Sequence, residues 1–364
     1  MDYLDYRNNT DGHHYRPQFF RLTRNEDVDI FNTLIGNPDL VILDCLQQQL
    51  SELIQLRHPG QRLTDEEIKT AIPEVLGTLG FHEYGVWVFY PWSNRLIHIL
   101  DEAEFKTVRN SRNQLKITPA EQALLAEKKI GIIGLSVGNA IALTMAMEGT
   151  AGEFRLADFD TIDLSNLNRI RTGLHNLGQN KAVVCAREIA EIDPFLKVVV
   201  YEAGLNDENI ADFFEKNGRL DFVADECDGL ETKISLRLFA RRLGIPVVME
   251  TSDRGMLDIE RFDLEPDRPL FHGRIQALGE NLPIAAEKRM QYLMAIVDVE
   301  QVSDRLKLSY AEIGKSLHTW PQLASAVIMG GGTTTDIARR ILLNSFQASG
   351  RWYMDIDQLL NKPE

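Results

Sequence analysis

The stretch Leu156 to Arg169 reads Leu-Ala-Asp-Phe-Asp-Thr-Ile-Asp-Leu-Ser-Asn-Leu-Asn-Arg. It places acids, amides and an arginine directly after an apolar run. Asp158 and Asp160 stand where a strand-end carboxylate can accept hydrogen bonds from ribose hydroxyls. Arg169 can fork onto phosphate oxygens, and Asn166 adds an amide suited to the same ligand. Asp163 reads as a solvated cap. A dehydrogenase needs one acid at this place; the set of four suits a nucleoside triphosphate and chemistry upon it.

Upstream, Gly134-Leu135-Ser136-Val137-Gly138-Asn139 follows a strand and opens a helix. Gly134 and Gly138, with Ser136 between them, would let the backbone approach a phosphate whose charge the helix N-terminal amides bind. The same letters spell G-x-S-x-G, the nucleophile elbow of hydrolases, for which His272 and His318 are the late histidines on offer. A plain strand–helix turn is the third reading, and phosphate contact is favoured. Lys181 heads the next helix against the dipole, which calls for an anion nearby; a solvated surface lysine is the plain alternative. Asp225-Glu226-Cys227-Asp228 closes a strand at the sheet edge where ligands of open α/β sheets sit. An acid there can hold Mg²⁺ against phosphates, while Cys227 reads as a small half-buried residue rather than a nucleophile. Gly314-Lys315-Ser316 imitates a P-loop end, but Ser309 occupies the first glycine's place. Gly330-Gly331-Gly332 reads as a flexible turn and helix cap. The eight histidines show no metal-ligand spacing on one helix face.

The elements that must position these groups alternate from Lys129 onward. Strands are expected at 129–135, 154–159, 198–201, 222–224 and 246–250, and helices at 138–148, 181–191, 209–215 and 232–243. Near-continuous apolar strands separated by helices imply a parallel sheet covered on both faces. Residues 257–264 alternate like an edge strand, and 283–297, 310–317 and 336–346 read as helices. Before 110 the rhythm differs: a loose arm to about residue 26, a helix over 40–56, and another opened by Thr64-Asp65-Glu66-Glu67. Strands at 85–90 and 96–100 flank the turn-like Pro91-Trp92-Ser93-Asn94. The division expected is an N-terminal α+β domain (1–108), a Rossmann-like, mostly parallel α/β domain (109–282) and a helical C-terminal extension (283–364).

With 364 residues, 44% hydrophobic and 26% charged, the chain has the composition of an ordinary globular protein with room for two cores. A net charge of −15 argues against nucleic-acid or anionic-membrane partners, which need a basic footprint. No apolar run approaches the ~18 residues of a membrane span, and the N-terminus has no signal-peptide pattern. Cys45, Cys185 and Cys227 are scattered, which disfavours a disulfide framework or a cysteine zinc site. A cytoplasmic address is the default expectation.

In combination these motifs resemble the ThiF/MoeB adenylyltransferases, the family of ubiquitin-like-modifier-activating enzymes, over about Arg109 to Leu264. The resemblance implies an ATP site from Gly134/Gly138, Asp158/Asp160, Ser165 to Arg169, Lys181 and Asp228, the last holding Mg²⁺. Arg109-Asn110-Ser111-Arg112-Asn113 resembles the family segment whose second arginine reaches the neighbouring subunit's ATP, so the resemblance implies a homodimer with Arg112 acting in trans. It also implies the activity: a carboxylate (the C-terminus of a ubiquitin-like protein or peptide, or a small acid) attacks ATP to give an acyl adenylate and pyrophosphate. Arg112, Arg169 and Lys181 would offset phosphate charge. Ser136, Val137 and Asn139 depart from the small residues of the usual turn, and Gly229 replaces an asparagine. No cysteine follows Cys227, so the thioester step has no candidate, and the zinc-binding cysteine pairs are missing too. The segment from Trp320 to Tyr353 resembles a branch joined to nitroreductase-like domains, without a redox function carried over. An NAD(P)-dependent oxidoreductase and a non-catalytic nucleotide-binding scaffold are the alternatives.

Overall fold

The computed structural model describes residues 15–361, which divide into two compact units. One takes in the chain up to Pro119 together with Ala190–Phe195; the other comprises Ala120–Ile189 and the chain from Leu196 onward. No helix among the described residues is long and apolar enough to cross a membrane.

In the first unit, β1 (Gln18–Phe20), α1 (Asn25–Ile35), β2 (Val41–Asp44), α2 (Leu46–Arg57), α3 (Asp65–Leu76), β3 (Val86–Tyr90), β4 (Arg95–Ile99) and α4 (Glu102–Arg109) follow in order. The sheet order is β1-β3-β4-β2, with β2 parallel to β4 and the other pairs antiparallel. Asn94 makes the β3–β4 hairpin possible by taking a left-handed φ of 50° after the Pro91–Ser93 turn. Thr64 starts α3 through a reciprocal capping box: Glu67 N–H donates to Thr64 Oγ1 at 3.3 Å and Thr64 N–H to Glu67 Oε2 at 2.8 Å. The helix expected over 40–56 is instead strand β2 followed by α2. Val41 and Ile42 are β-branched and pair with β4, and the helical spacing of Leu46, Leu50 and Leu53 serves α2 alone, all three buried against Leu100. The N-terminal arm lies partly outside the described residues, and Gln18–Phe20 within it pairs with β3.

After α5 (Pro119–Leu125), the second unit runs β5 (Lys129–Ile133), α6 (Gly138–Glu148), β6 (Glu153–Ala157), α7 (Lys181–Ile192), β7 (Lys197–Tyr201), α8 (Ile210–Glu215), β8 (Phe222–Asp225), α9 (Leu230–Leu243), β9 (Val247–Thr251) and β10 (Met256–Glu260). Then come α10 (Arg289–Val297), α11 (Asp304–Glu312), α12 (Ala324–Leu342), β11 (Gly350–Tyr353) and α13 (Ile356–Leu360). The seven strands lie in the order β11-β10-β9-β8-β5-β6-β7. From β9 to β7 they are parallel, while β10 and β11 are antiparallel additions. Counted along the chain, the parallel five follow 3-2-1-4-5, the doubly wound order whose direction of winding reverses between β5 and β8. This is the mostly parallel Rossmann-like sheet the alternation implies.

The region beyond 260 differs most from expectation. β10 is not an edge, because β11 pairs with it from Met256 opposite Tyr353 to Ile259 opposite Gly350. Gly330-Gly331-Gly332 lies inside α12 rather than in a turn. A Cβ on Gly331 would stand 3.0 Å from the Ala140 backbone of α6, and one on Gly330 only 2.3 Å from the Glu250 carboxyl carbon. The first two glycines therefore permit close packing, whereas Gly332 has nothing within 4 Å. Gly331→Val is expected to destabilise the protein by about 1–3 kcal/mol through overpacking. Gly332→Ala is expected to stabilise it by up to ~1 kcal/mol through helix propensity, both read by urea denaturation.

Candidate functional site

The winding reverses between β5 and β8, the crevice position of a doubly wound sheet outside the carboxyl ends of its strands. The sequence brings the loops after β5, β6 and β8 and the head of α7 to this edge. Gly134 ends β5 with φ 84°, and a Cβ there would lie 2.4 Å from the Glu226 carbonyl oxygen. Only glycine lets the turn after β5 press against the turn after β8. Its close approach is to the protein's own backbone, whereas a Cβ on Gly138 would meet the Ile132 side chain at 2.8 Å. From this turn, Leu135 N–H donates to Asp158 Oδ2 at 2.6 Å, and Asp160 N–H donates to Asp158 Oδ1 at 2.8 Å. Asp158 is 8% exposed. Burial raises its pKa, and the two amides oppose that rise. Each carboxylate oxygen has a second lone-pair direction, so the anchor retains capacity for another donor.

Asp160 points outward and pairs with Lys181 Nζ at 2.8 Å, while Lys181 N–H donates to Asp160 O at 2.9 Å. The anion that the lysine at the head of α7 calls for is thus an aspartate of its own chain. Asn166 is buried, and its side-chain oxygen accepts from Asp163 N–H at 3.0 Å, closing the short turn Leu164–Asn168. That turn delivers Arg169 to the glycine turn: Nε donates to Ser136 Oγ at 2.9 Å and Nη1 to Asn168 Oδ1 at 2.9 Å. Both partners are neutral. The guanidinium is half-buried, which lowers its pKa, and the Asp228 charge works against that lowering. Ser136 meets an arginine, not a histidine, and His272 is engaged elsewhere with Asp258 and Arg268. No histidine, His318 included, hydrogen-bonds Ser136 among the described residues, so the hydrolase elbow lacks its base there.

The quartet after β8 splits by burial. Asp225 is fully buried and paired with Arg237 and, at 3.2 Å, with Lys233; these cations hold its carboxyl well below the usual range, at about 2, against the opposing effect of burial. Cys227 donates its thiol to Asp225 Oδ1 at 3.0 Å, and burial pushes the thiol up. It remains a protonated packing residue. Glu226 turns inward, accepting from Glu250 N–H at 3.0 Å. Asp228 alone is exposed, and it makes no hydrogen bond or ion pair among the described residues. Gly134, Ser136, Gly138, Asp158, Asp160, Asn166, Arg169, Lys181 and Asp228 all lie in the second unit. Arg112 belongs to the first, exposed in the turn Ser111–Asn113.

Residues 110–305 match the model of the ThiF family. The chain belongs to the ThiF family. A Mycobacterium tuberculosis relative, "Uncharacterized protein MT1398", is 37% identical over 340 residues, covering 93% of this chain and 45% of its own length. This ThiF-family chain thus spans less than half of that relative. A Bacillus subtilis "tRNA threonylcarbamoyladenosine dehydratase" is 24% identical over 64% of this chain and 95% of its own. A Haemophilus influenzae "Molybdopterin-synthase adenylyltransferase" is 26% identical over 54% of this chain and 80% of its own.

One feature behind the crevice of this ThiF-family chain has no sequence signature. Glu250, at the end of β9, is 4% exposed and neither carboxyl oxygen has a hydrogen-bond partner. Burial pushes its pKa from the ordinary 4.5 up to about 8, and burial together with Glu250 raises that of Glu226. The folded protein therefore keeps a proton that the unfolded chain releases above pH 4.5. Stability from this group is complete below that pH and is lost as pH rises towards 8. Glu250→Gln should remove the loss, so the urea-denaturation stability of the variant relative to wild type is expected to rise steadily from pH 5 to pH 8. A difference that stays flat across this range contradicts the assignment.

Proposed function

We propose that the second unit binds Mg·ATP and transfers its adenylyl group to a carboxylate. Arg169 carries this reading: a half-buried guanidinium held by the neutral acceptors Ser136 Oγ, Asn168 Oδ1 and Ser165 O at the lip of the Gly134–Gly138 turn. A guanidinium without a carboxylate in hydrogen-bond contact, beside helix N-terminal amides, is a binding site for phosphate oxygens. Asp228 fits the metal: it is exposed, free of protein donors, and close enough to Arg169 for its charge to be felt there. Such a carboxylate would hold Mg²⁺ against the phosphates, and the ion would neutralise charge on them.

A substrate carboxylate oxygen attacks the α-phosphorus of ATP, the bond to the bridging oxygen of the β-phosphate breaks, and pyrophosphate leaves. The nucleophile is already ionised at neutral pH and needs no general base. Arg169 and Lys181 offset charge at the phosphates, Asp158 offers its remaining lone pairs to the ribose, and Ser136 keeps Arg169 aimed. Family membership and the adenylyltransferase among the relatives support this reaction class over hydride transfer. The substrate class extends from small acids to peptide C-termini, including those of ubiquitin-like proteins. A homodimer in which Arg112 completes the partner's site, in a cytoplasmic setting, belongs to the same proposal. So does a functional division into an N-terminal domain to 108, an adenylating domain over 109–282 and a C-terminal extension.

Calorimetric titration with ATP, with and without Mg²⁺, tests it. Arg169→Ala is expected to weaken ATP roughly ten- to a hundredfold, the worth of a charged hydrogen-bonding pair, and Asp228→Ala to abolish the Mg²⁺ dependence. Binding of NAD(H) in place of ATP contradicts the proposal, as does pyrophosphate exchange that persists in Lys181→Ala. Tight ATP binding with no exchange for any carboxylate would leave a nucleotide-binding scaffold.

A further inference from the structure

The first unit contains a cluster that the nucleotide chemistry does not use. Asp44 at the end of β2 and His98 on β4 are direct partners in the parallel ladder, and Trp87 on β3 pairs with His98 from the other side. The His98 side chain is fully buried, stacked on the Trp87 ring at 4.1 Å and 6°, with Phe81 edge-on at 6.0 Å. The imidazole is thereby fixed in one orientation. Its Nε2 lies 2.8 Å from the Tyr84 carbonyl oxygen, which can only accept, so Nε2 carries a hydrogen. Nδ1 of the neutral ring is then a lone pair, and it faces Asp44 Oδ1 at 3.1 Å. Two acceptors in that contact repel unless a cation lies between them.

A third donor converges on the same point. His82 brings a ring nitrogen to within 4.8 Å of the other two atoms. Its backbone is tied down where its carbonyl accepts from Trp87 Nε1 at 3.1 Å. Asp44 and His82 are exposed, so the open side of the cluster faces solvent. We propose that Asp44, His82 and His98 form a binding site for a divalent transition cation of the Zn²⁺ class, with a fourth position open to water. Two imidazoles and one carboxylate are the donor set such ions prefer. Tetrahedral bonds of ~2.0–2.1 Å set ligand atoms roughly 3.3 Å apart, close to the 3.1 Å between Nδ1 and Oδ1. The Nε2–H to Tyr84 bond is the outer-shell contact that orients a ligating histidine. Bound there, the cation would clamp the edge strand β2, whose Val41, Ile42 and Leu43 are exposed, to the hairpin of β3 and β4.

The test uses the full chain, stripped with chelator and titrated with ZnCl₂ by calorimetry, and with CoCl₂ by visible absorption. Wild type is expected to bind one Zn²⁺ at this site and to show the d–d absorption of low-coordinate Co²⁺, with Tm rising as Zn²⁺ is added. His82→Ala and Asp44→Asn, both exposed positions, should each weaken binding at least tenfold and abolish the Co²⁺ spectrum. His98→Ala is avoided because that ring is in the core, and Asn at position 44 keeps an oxygen for the Leu46 N–H that Asp44 accepts. Zn²⁺ binding that survives both variants overturns the proposal. So does a wild type that takes up no metal, which would mean that an imidazolium–carboxylate pair resolves the contact.

Discussion

Asp158 follows β6, and its carboxylate braces the neighbouring turn, where the chain leaves the buried strand β5, turns over residues 134–137 and begins α6. Burial works against its charge, while main-chain amides at 2.6 and 2.8 Å favour it. One amide belongs to the turn after β5 and the other to the loop after β6. The same carboxylate therefore fixes two adjacent loops relative to each other. Gly134 completes the constraint from the opposite side, because its missing side chain lets the turn after β8 come within van der Waals contact. Once these three loops are locked, the N-terminus of α6, the path to Asp160 and the exposed position of Asp228 all follow.

Behind the crevice a buried charge network runs through the apolar core that β8, α9 and β10 share. Arg237 of α9 is fully buried between Asp225 of β8 and Glu260 of β10, with its guanidinium 4.0 Å from the Phe271 ring centre. Glu260 in turn accepts from Phe271 N–H at 2.6 Å, and Asp258 pairs with His272 at 3.0 Å and with Arg351 of β11. Such a network gains little net stability over an apolar core, yet breaking one member strands the others, at roughly 3–5 kcal/mol. Its geometric effect is plainer. It joins β8, α9, β10 and β11, so the antiparallel extension is bonded to the strand that carries the Asp228 loop. It also occupies Asp225, whose Oδ2 pairs with Lys233 and Arg237 while its Oδ1 accepts from the Cys227 amide and thiol.

What the sequence discloses and what it withholds divides along the range of the interactions involved. The alternation from Lys129 to Glu250 was legible because buried parallel strands and their helices carry local periodicities, and α6 occupies the predicted span, Gly138–Glu148. The glycine turn was legible because its spacing belongs to one strand–turn–helix unit, and the positions of Asp158 and Arg169 because both fall in the loop directly after the next apolar strand. The C-terminal region was not. A glycine triplet means a turn when read locally, and only the approach of α6 and of the Glu250 carboxylate turns it into a packing surface. Likewise β11 exists because β10 offers it a ladder, and nothing in Gly350–Tyr353 alone demands a strand. Buried arginines escape for the same reason. Arg155 looks like a polar residue alternating on β6, yet its guanidinium satisfies the carbonyls of Phe213 at 2.7 Å and Gly218 at 2.6 Å, some sixty residues away.

The Lys181–Asp160 pair shows how the resting arrangement bears on the chemistry. Lys181 is 7% exposed, while the side chain of Asp160 is 54% exposed. The cation is thus held in place by its surroundings, and its counter-ion is free to turn towards water. On the proposed reading, an incoming phosphate would compete for the lysine with an aspartate that gives up little on release, since a half-exposed carboxylate is readily solvated. A buried partner such as Asp225 could not be displaced so cheaply, which is why Lys233 and Arg237 are spectators despite lying one loop away. The charge that a nucleotide can recruit is therefore the charge whose present partner faces solvent. By that criterion the proposed nucleotide site has Lys181 and Arg169 as its available cations and Asp228 as its available anion.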